Sequence, residues 1–199
     1  MSARDDRAAV SEVVRADADA RVADDVLMAR YVAGDALGFE QLYARYKGPV
    51  FRFFLRQMPK ADAEECHQDV WLKLIGARER YQPRSEFRAF LFTIAHHTLT
   101  DRHRRLARRD ATLASEPIDE MRDPAPGPEA TAMRARDAAR LYRLIGRLPI
   151  AQREALLLRE EAGLSLAEIA RITDTAEEGV KSRLRYAMQK LRAGMSEGE

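Results

Sequence analysis

The sequence predicts an all-α protein of two small helical domains joined by a flexible, acidic, proline-rich linker, with a helix-turn-helix in the second domain. Three observations support this prediction. Helix-favouring Ala, Arg, Leu and Glu dominate a chain of 199 residues that has only 10 glycines and 8 prolines. Apolar residues recur at helical spacing, and no segment alternates between apolar and polar residues as a surface strand does. Four of the prolines lie between residues 113 and 133.

The composition also narrows the class of protein. Hydrophobic residues make up 46% of the chain and charged residues 33%, which is typical of a soluble protein with packed cores. No apolar run reaches the roughly 20 residues that a membrane-spanning helix needs, and the N-terminus lacks the apolar centre of a signal peptide. The lone Cys66 permits neither an internal disulfide nor a cysteine-based zinc site. We therefore expect a cytoplasmic protein.

The net charge of +2 conceals an uneven distribution of charge. Residues 84–109 contain seven arginines and two acidic residues, whereas residues 114–133 contain five acidic residues and one arginine. A second basic segment lies near the C-terminus. Two basic segments separated by an acidic one predict two places where a polyanion is held.

The first domain is predicted to span residues 24–112, after a poorly ordered tail at residues 1–23. Its first helix covers residues 24–32, and Asp35 is the expected N-cap of the second helix. The glycine-proline pair at 48–49 is expected to bend or break that second helix. The residues expected to carry the apolar side of this first helix are Val26, Leu27, Ala29 and Val32.

The third helix, predicted for residues 61–76, has two distinct faces. Cys66, Val70 and Leu74 recur at helical spacing and form the expected buried stripe. The other face is acidic and contains a leucine. It is either solvated surface or a surface that docks on a basic partner protein, where polar residues ring an apolar anchor. This face consists of Asp62, Glu65, Asp69 and Leu72, flanked by Gln68 and Trp71.

A loop at residues 81–85 precedes a long helix predicted for residues 86–109, with Ser85 as its cap. The residues expected to pack inward are Phe87, Phe90, Leu91, Ile94 and Thr98. Further along the helix, one face forms a cationic strip, which consists of His97, Asp101, Arg104, Arg105 and Arg108.

The histidines of this helix also suggest a metal site, because His97 and Asp101 are four residues apart and His103 follows. However, His96 and His97 point about 100° apart on a helix, and the surrounding arginines disfavour a cation. A structural zinc requires four convergent ligands. No set of nucleophile and base and no glycine-rich phosphate loop is present. We therefore expect no cofactor and no enzymatic activity, and a helical metalloenzyme is the weakest alternative.

After the linker at residues 113–133, which is expected to act as a tether, the second domain is predicted to span residues 134–193. A tail at residues 194–199 follows. Pro149 is expected at the first position of a helix.

A helix-turn-helix is predicted between Ser165 and Arg192. Ser165 and Glu168 form a capping box, and residues 173–175 form the turn, where Asp tolerates a left-handed backbone. From 179 to 192 the second helix carries five basic residues and no acidic one. Such a helix is either a solvated surface helix or a recognition helix that lies in the DNA major groove.

Taken together, five segments in this order resemble the extracytoplasmic-function sigma factors of the sigma-70 superfamily, which direct bacterial RNA polymerase to promoters. The resemblance covers residues 25–193. An ordinary helix-turn-helix regulator would explain only the last segment. The segments are GFEQLYARYKGPVFRF, DAEECHQDVWLKL, YQPRSEFRAFLFTIAHHTLTDRHRR, RLPIAQREALLLRE and GLSLAEIARITDTAEEGVKSRLRYAMQKLR.

The resemblance implies a role for each predicted surface. The residues that match the face gripping the polymerase clamp helices are Asp62, Glu65, Gln68, Asp69 and Leu72. Those that match the segment capturing and reading the minus-ten element are Tyr81, Arg84, Ser85, Arg88, His97, Asp101, Arg104 and Arg105. Those that match the helix reading the minus-thirty-five element are Thr175, Glu178, Lys181, Ser182, Arg183 and Arg185.

This sequence departs from the family pattern at two places. His97 stands where the family usually has Asn, which leaves the preferred minus-ten base open. Ala176 and Gly179 stand where Ser and Thr usually open the recognition helix, and Thr175 with Glu178 would supply a cap one residue earlier.

The implied function is transcription initiation, with core RNA polymerase and promoter DNA as partners and with neither a membrane nor a small-molecule substrate. Many members of the family are held by an anti-sigma factor, although nothing in this sequence identifies one. The alternative is a stand-alone helix-turn-helix regulator, which is disfavoured because such proteins usually dimerise on paired half-sites.

Overall fold

The computed structural model describes residues 22–81, 86–110 and 132–196, where every regular element is helical. The predicted all-α class is therefore confirmed. Most of the predicted N-terminal tail and linker lies outside the described residues. The helices are α1 (Asp24–Val32), α2 (Ala36–Leu55), α3 (Lys60–Ala77), α4 (Phe87–Asp110), α5 (Ala132–Gly146), α6 (Ile150–Glu160), α7 (Leu166–Ile172) and α8 (Glu177–Ser196), with a 3-10 turn at Arg78–Arg80.

The described helices were compared with the requirements for a membrane-spanning helix. None of the described helices combines the length and the apolar character needed to cross a bilayer.

Helices α1–α4, the N-terminal group, enclose an aromatic core. Phe53 and Phe54 of α2 are fully buried, and Phe53 packs edge-on against Phe92 of α4 with 5.7 Å between the ring centroids. Burying a side chain of this size stabilises the fold by roughly 1.5–3 kcal/mol. This core positions α3 and α4 side by side, so that each presents its outer face to solvent.

Helix α2 runs unbroken through Pro49, so of the predicted bend or break at this position the break does not occur. Proline removes one backbone donor from the helix. Val50 and Phe53, which follow it, are fully buried. Packing of these two side chains therefore stabilises the helix where it passes through Pro49. The predicted cap is confirmed, since the Asp35 carboxylate accepts a hydrogen bond from the backbone N–H of Leu37 at 3.0 Å.

Helix α1 buries Leu27 and Met28, whereas Val26 and Val32 are 46% and 44% exposed. The predicted apolar set for this helix is therefore largely wrong. The cause is a close crossing of α1 and α2 at Gly38, where an added Cβ would lie only 2.4 Å from the carbonyl oxygen of Leu27. This crossing sets the rotation of α1, and local periodicity alone does not reveal it.

Helices α5–α8, the C-terminal group, contain the predicted helix-turn-helix. The Ser165 hydroxyl accepts a hydrogen bond from the Glu168 N–H, and the Glu168 carboxylate accepts one from the Ser165 N–H, so the predicted capping box is confirmed. Although burial opposes it, these hydrogen bonds lower the pKa of Glu168. The turn contains Asp174 with a φ of 46°, the left-handed conformation that was predicted.

The two groups of helices lie against each other. Helix α4 contacts α7, and Arg52 of α2 forms an ion pair with Glu161, at the end of α6, at 2.7 Å. The arginine-rich second half of α4 stays at the surface, because Arg104, Arg105 and Arg108 are exposed. Contact between the groups therefore leaves this cationic strip accessible.

Candidate nucleic-acid and protein interfaces

Helix α8 presents the surface predicted to read DNA. Its buried side, with Val180, Ala187 and Leu191, packs on α6 and α7. Its other side carries the predicted DNA-binding residues. Glu178, Lys181 and Arg185 are exposed, whereas Thr175, Ser182 and Arg183 are half-buried. The basic side chains therefore point away from the protein body, as a recognition helix requires.

The opening of α8 differs from the predicted cap. The Glu178 carboxylate accepts a hydrogen bond from the Lys181 ammonium at 2.6 Å, and this interaction raises the pKa of Lys181. Both side chains are well exposed, so the pair contributes little to stability. Lys181 can therefore leave Glu178 at small cost. Gly179 keeps this turn compact, because an added Cβ would lie 3.0 Å from the Thr175 hydroxyl oxygen.

The predicted partner-binding face of α3 divides into two parts. Gln68 is exposed, Leu72 is 66% exposed, and Asp69 lies half-buried between them. Ile75, one turn further along, is 41% exposed. An exposed apolar pair beside a carboxylate and an amide is the pattern of a protein-docking surface.

The other part of this face is tied to the protein itself. Arg102 of α4 donates to Asp62 and also to Glu65, the latter at 3.0 Å. Its side chain is only 16% exposed. Burial opposes the charge, but the pairing with Asp62 and Glu65 raises the pKa of Arg102. The two carboxylates therefore fix α3 against α4 and orient the Gln68–Leu72 part.

Trp71 does not flank this face at the surface, since it is only 5% exposed. Its ring packs edge-on against Tyr43 at 4.8 Å, and its indole N–H donates to His67 Nε2 at 3.0 Å. Burial lowers the pKa of His67, against a hydrogen bond with the Lys47 backbone that raises it. The indole is thus a core group that holds α3 on α2.

Helix α4 carries the cationic strip predicted for the minus-ten element. His97, Asp101, Arg104 and Arg105 are exposed, and Arg88 is half-buried. Arg84 and Ser85 lie outside the described residues. The exposed arginines occupy one side of a helix of 24 residues, a length over which phosphates of one strand can be contacted in succession.

Tyr81 is buried, so its ring is not exposed for stacking. It is 7% exposed, and its hydroxyl donates to the Asp25 carboxylate at 2.6 Å. Burial and the hydrogen bond to Asp25 both raise the pKa of Tyr81. The same carboxylate oxygen accepts the Phe87 N–H at 3.0 Å. Tyr81 therefore anchors the start of the loop to α1 and to the first turn of α4.

The two adjacent histidines of α4 diverge. His96 Nδ1 lies 2.6 Å from a carboxylate oxygen of Glu154 on α6, while His97 faces solvent. Within the described part of the chain, no three His, Cys, Asp or Glu side chains gather as metal ligands would.

Comparison with known proteins identifies the family. Models of Sigma-70 region 2 and Sigma-70 region 4 match residues 42–109 and 138–191, more than half of the chain. The ECF RNA polymerase sigma factor SigD of Mycobacterium tuberculosis is 32% identical over 174 residues, which span 84% of this chain and 82% of SigD. The chain belongs to the ECF sigma factors.

Further relatives agree with this assignment. The ECF RNA polymerase sigma factor ShbA of Streptomyces griseus is 30% identical over 176 residues, covering 84% of this sigma factor and 92% of ShbA. Among solved structures, CnrH in complex with the cytosolic domain of CnrY matches with a TM-score of 0.65 and 25% identity. The match covers 89% of this chain and all of CnrH.

As a member of this family, the sigma factor is a transcription initiation factor that binds core RNA polymerase and directs it to promoter DNA. The resemblance that its sequence predicted is therefore confirmed, and the stand-alone regulator is not favoured. Each family match falls within one group of helices, region 2 running from α2 into α4 and region 4 from α5 into α8.

Two residues that hold these surfaces in place, Arg102 and Asp25, cannot be recognised from the sequence. In the sequence Arg102 is only one charge in a basic segment, and Asp25 has no evident role. Their partners lie 40 and 56 positions away in the chain. Nothing in the local pattern marks such a pair, because helical periodicity reports only which residues share a face.

The sigma factor's one cysteine gives a pH-dependent prediction. Cys66 is 2% exposed, and burial raises the pKa of its thiol to about 11. Because the thiolate is the reactive form, iodoacetamide at pH 8 is expected to leave the native protein unmodified, as measured by mass spectrometry. The same reagent should label the urea-unfolded chain to completion. Stoichiometric labelling of the native protein at pH 8 would contradict this environment for Cys66.

Proposed function

We propose that this sigma factor contacts core RNA polymerase, the minus-ten element and the minus-thirty-five element through three separate helices. One observation supports this most directly. The described members of the three predicted residue sets lie mainly on α3, α4 and α8, and all except Tyr81 are at least partly exposed. Three accessible surfaces on one chain suit a factor that must hold a polymerase and two DNA segments together.

On α3, we assign core-polymerase binding to the docking surface formed by Gln68, Asp69 and Leu72. Asp62 and Glu65 belong to the same predicted set, but their ion pairs with Arg102 suit a positioning role. An apolar anchor ringed by polar groups provides affinity through burial and selectivity through charge. Leu72, at 66% exposure, supplies the apolar area.

On α4, Arg104 and Arg105 are assigned to phosphates at the upstream edge of the minus-ten element, and His97 to a base. Extruding a base costs a few kcal/mol, so a pocket must offset that cost. We assign the pocket to the loop between Tyr81 and α4, which includes Arg84 and Ser85. Half-buried Arg88 is assigned to the same pocket, and Tyr81, whose hydroxyl is hydrogen-bonded to Asp25, anchors the start of the loop.

On α8, Lys181 and Arg185 are assigned to the minus-thirty-five duplex. Arginine and lysine pair with guanine in the major groove, and each such pair is worth roughly 1–3 kcal/mol. Glu178 can accept from cytosine once Lys181 has turned to DNA. Ser182, Arg183 and Thr175 complete the set near the phosphates.

We further propose that the protein performs no covalent chemistry and acts in the cytoplasm beside the polymerase. The domain bounds proposed from the sequence are 24–112 and 134–193. CnrH was solved in complex with the cytosolic domain of CnrY, and we propose that an anti-sigma factor binds the present factor.

The test of this proposal is transcription with core RNA polymerase on a supercoiled promoter library. The sigma factor should co-elute with core polymerase and yield run-off transcripts from a defined subset of promoters. A stand-alone regulator would instead bind duplex DNA without core polymerase and yield no transcripts. Absence of both co-elution and transcripts at every salt concentration would exclude the assigned role.

A further inference from the structure

Helix α5 carries a row of arginines that none of the assigned functions uses. The row consists of Arg136, Arg140, Arg143 and Arg147. At this helical spacing the four residues lie within roughly 60° of one another around the helix axis. The Arg147 N–H donates to the Arg143 carbonyl oxygen at 3.2 Å, so the helical path continues to the last of them. Within the described part of the chain, none of the four forms an ion pair with a carboxylate.

The last turn of α8 forms the second wall of a cavity beside this row. The cavity has a volume of about 340 Å³. The residues that line it are Arg140, Arg143, Leu144, Arg147 and Gly194. Glycine at position 194 allows this close approach of α5 to α8, because an added Cβ would lie 2.4 Å from Leu144 Cδ2. Three of the four arginines therefore converge on one concave site between the two helices.

Arg140 is the fixed member of this site. It is half-buried, and its Nη2 donates to the Gly194 carbonyl oxygen at 2.6 Å. That carbonyl lies in the last turn of α8, where the helix dipole is negative, so the hydrogen bond offsets part of this charge. A guanidinium already held in place loses less conformational entropy when a ligand binds. Arg143 and Arg147 are exposed and can turn towards a ligand beside it.

The chemistry of the cavity favours an oligophosphate as its ligand. A guanidinium presents its N–H groups as a fork that pairs with two oxygens of one phosphate, and three such forks match several linked phosphates. The volume of about 340 Å³ lies at the lower end of the range for small-molecule sites. A single small anion would meet the negative end of α8, whereas several linked phosphates pair with all three arginines at once.

Neighbouring groups do not oppose such a ligand. Asp137, an exposed acidic residue of α5, lies on the side of Arg140 that is turned away from Arg143 around the helix. The residues assigned to DNA on α8 end at Arg185, roughly 14 Å along the helix axis before Gly194. The cavity is therefore separate from the surface assigned to the minus-thirty-five element.

We propose that the cavity between α5 and the end of α8 binds an oligophosphate, either inorganic or the phosphate chain of a nucleotide, through Arg140, Arg143 and Arg147. A bound oligophosphate contacts α5 beside the last turn of α8 and so stabilises the packing of the helix that carries the recognition surface. The proposal does not rest on the proposed function, because none of these arginines belongs to the sets assigned to polymerase or DNA.

The test is isothermal titration of the full-length chain with sodium tripolyphosphate at constant ionic strength. Arg143→Gln with Arg147→Gln should weaken binding by more than about tenfold, since each charge-assisted hydrogen bond lost has an effect of that order. The matched control is Arg171→Gln with Arg192→Gln, which removes the same charge from exposed positions outside the cavity. The control should bind as the wild type does. Equal weakening in both variants, or no binding to the wild type, would overturn the site.

Two further measurements identify the ligand. Sulfate at the same ionic strength should not displace tripolyphosphate, and displacement would reduce the site to a general anion surface. ATP without divalent cations should displace it, and tighter binding of ATP than of tripolyphosphate would show that a nucleotide is the source.

Duplex DNA provides the last comparison. Fluorescence anisotropy should give the Arg143→Gln, Arg147→Gln variant the same affinity for a minus-thirty-five duplex as the wild type. Weaker duplex binding would assign the two arginines to DNA and overturn the oligophosphate site. None of these measurements involves core polymerase, so a failure of transcription would count against the proposed function alone.

Discussion

The Asp69→Arg variant is expected to lose binding to core RNA polymerase by more than about a hundredfold, which corresponds to about 2.7 kcal/mol. Asp69 lies between Gln68 and Leu72 on the docking surface of α3. Reversing its charge places a cation against a surface that had met an anion, and such mispairing costs several kcal/mol in an interface. Biolayer interferometry with immobilised core polymerase measures the loss.

The control for this variant is Glu40→Arg, which makes the same charge change on α2, where Glu40 is exposed. Its binding should equal that of the wild type. Asp69 is half-buried, so circular dichroism must show that the variant is folded, and Leu72→Ser tests the same surface through a side chain that is 66% exposed. If Asp69→Arg still co-purifies with core polymerase, the docking surface lies elsewhere.

The elements that could be predicted from the sequence are those determined within one helical turn. The capping box of Ser165 and Glu168, the Asp35 cap and the left-handed Asp174 each depend on neighbours a few positions away. Residue type and spacing are enough for such features, because the interacting groups are brought together by the helix itself.

The features that failed depend on contacts between distant segments. The sequence predicts that Trp71 flanks the acidic face of α3, yet its ring packs against Tyr43 of α2. The rotation of α1 follows from the close approach at Gly38. Periodicity shows which residues share a face of a helix but not which other helix packs against that face. The position of that other helix decides which residues are buried.

In the candidate site, too, local features could be predicted from the sequence and contacts between distant segments could not. The exposed members of α8 and α4 follow from helical spacing alone, and their exposure agrees with it. The pair formed by Arg52 and Glu161 spans 109 positions in the chain, with the whole acidic segment in between. Such pairs form where the two groups of helices meet. Residue composition does not show which of the many charged residues will pair there.

Replacing Lys181 and Arg185 together with alanine is expected to weaken binding to a minus-thirty-five duplex by roughly 30-fold or more, since each base pairing removed costs roughly 1–3 kcal/mol. Both side chains are exposed on α8, so the fold should be unaffected. Removing Lys181 also frees the Glu178 carboxylate, which then repels phosphate. Fluorescence anisotropy with a duplex selected from the transcription library measures the weakening.

The matched control is Lys190→Ala with Arg192→Ala, which removes the same charge from exposed positions further along α8. A non-specific electrostatic effect would weaken both variants equally, whereas base and phosphate binding at the start of α8 would weaken only the first. The slope of log affinity against log salt should also fall by about one for each phosphate that is no longer neutralised. Unchanged affinity in the first variant would assign minus-thirty-five binding to another helix.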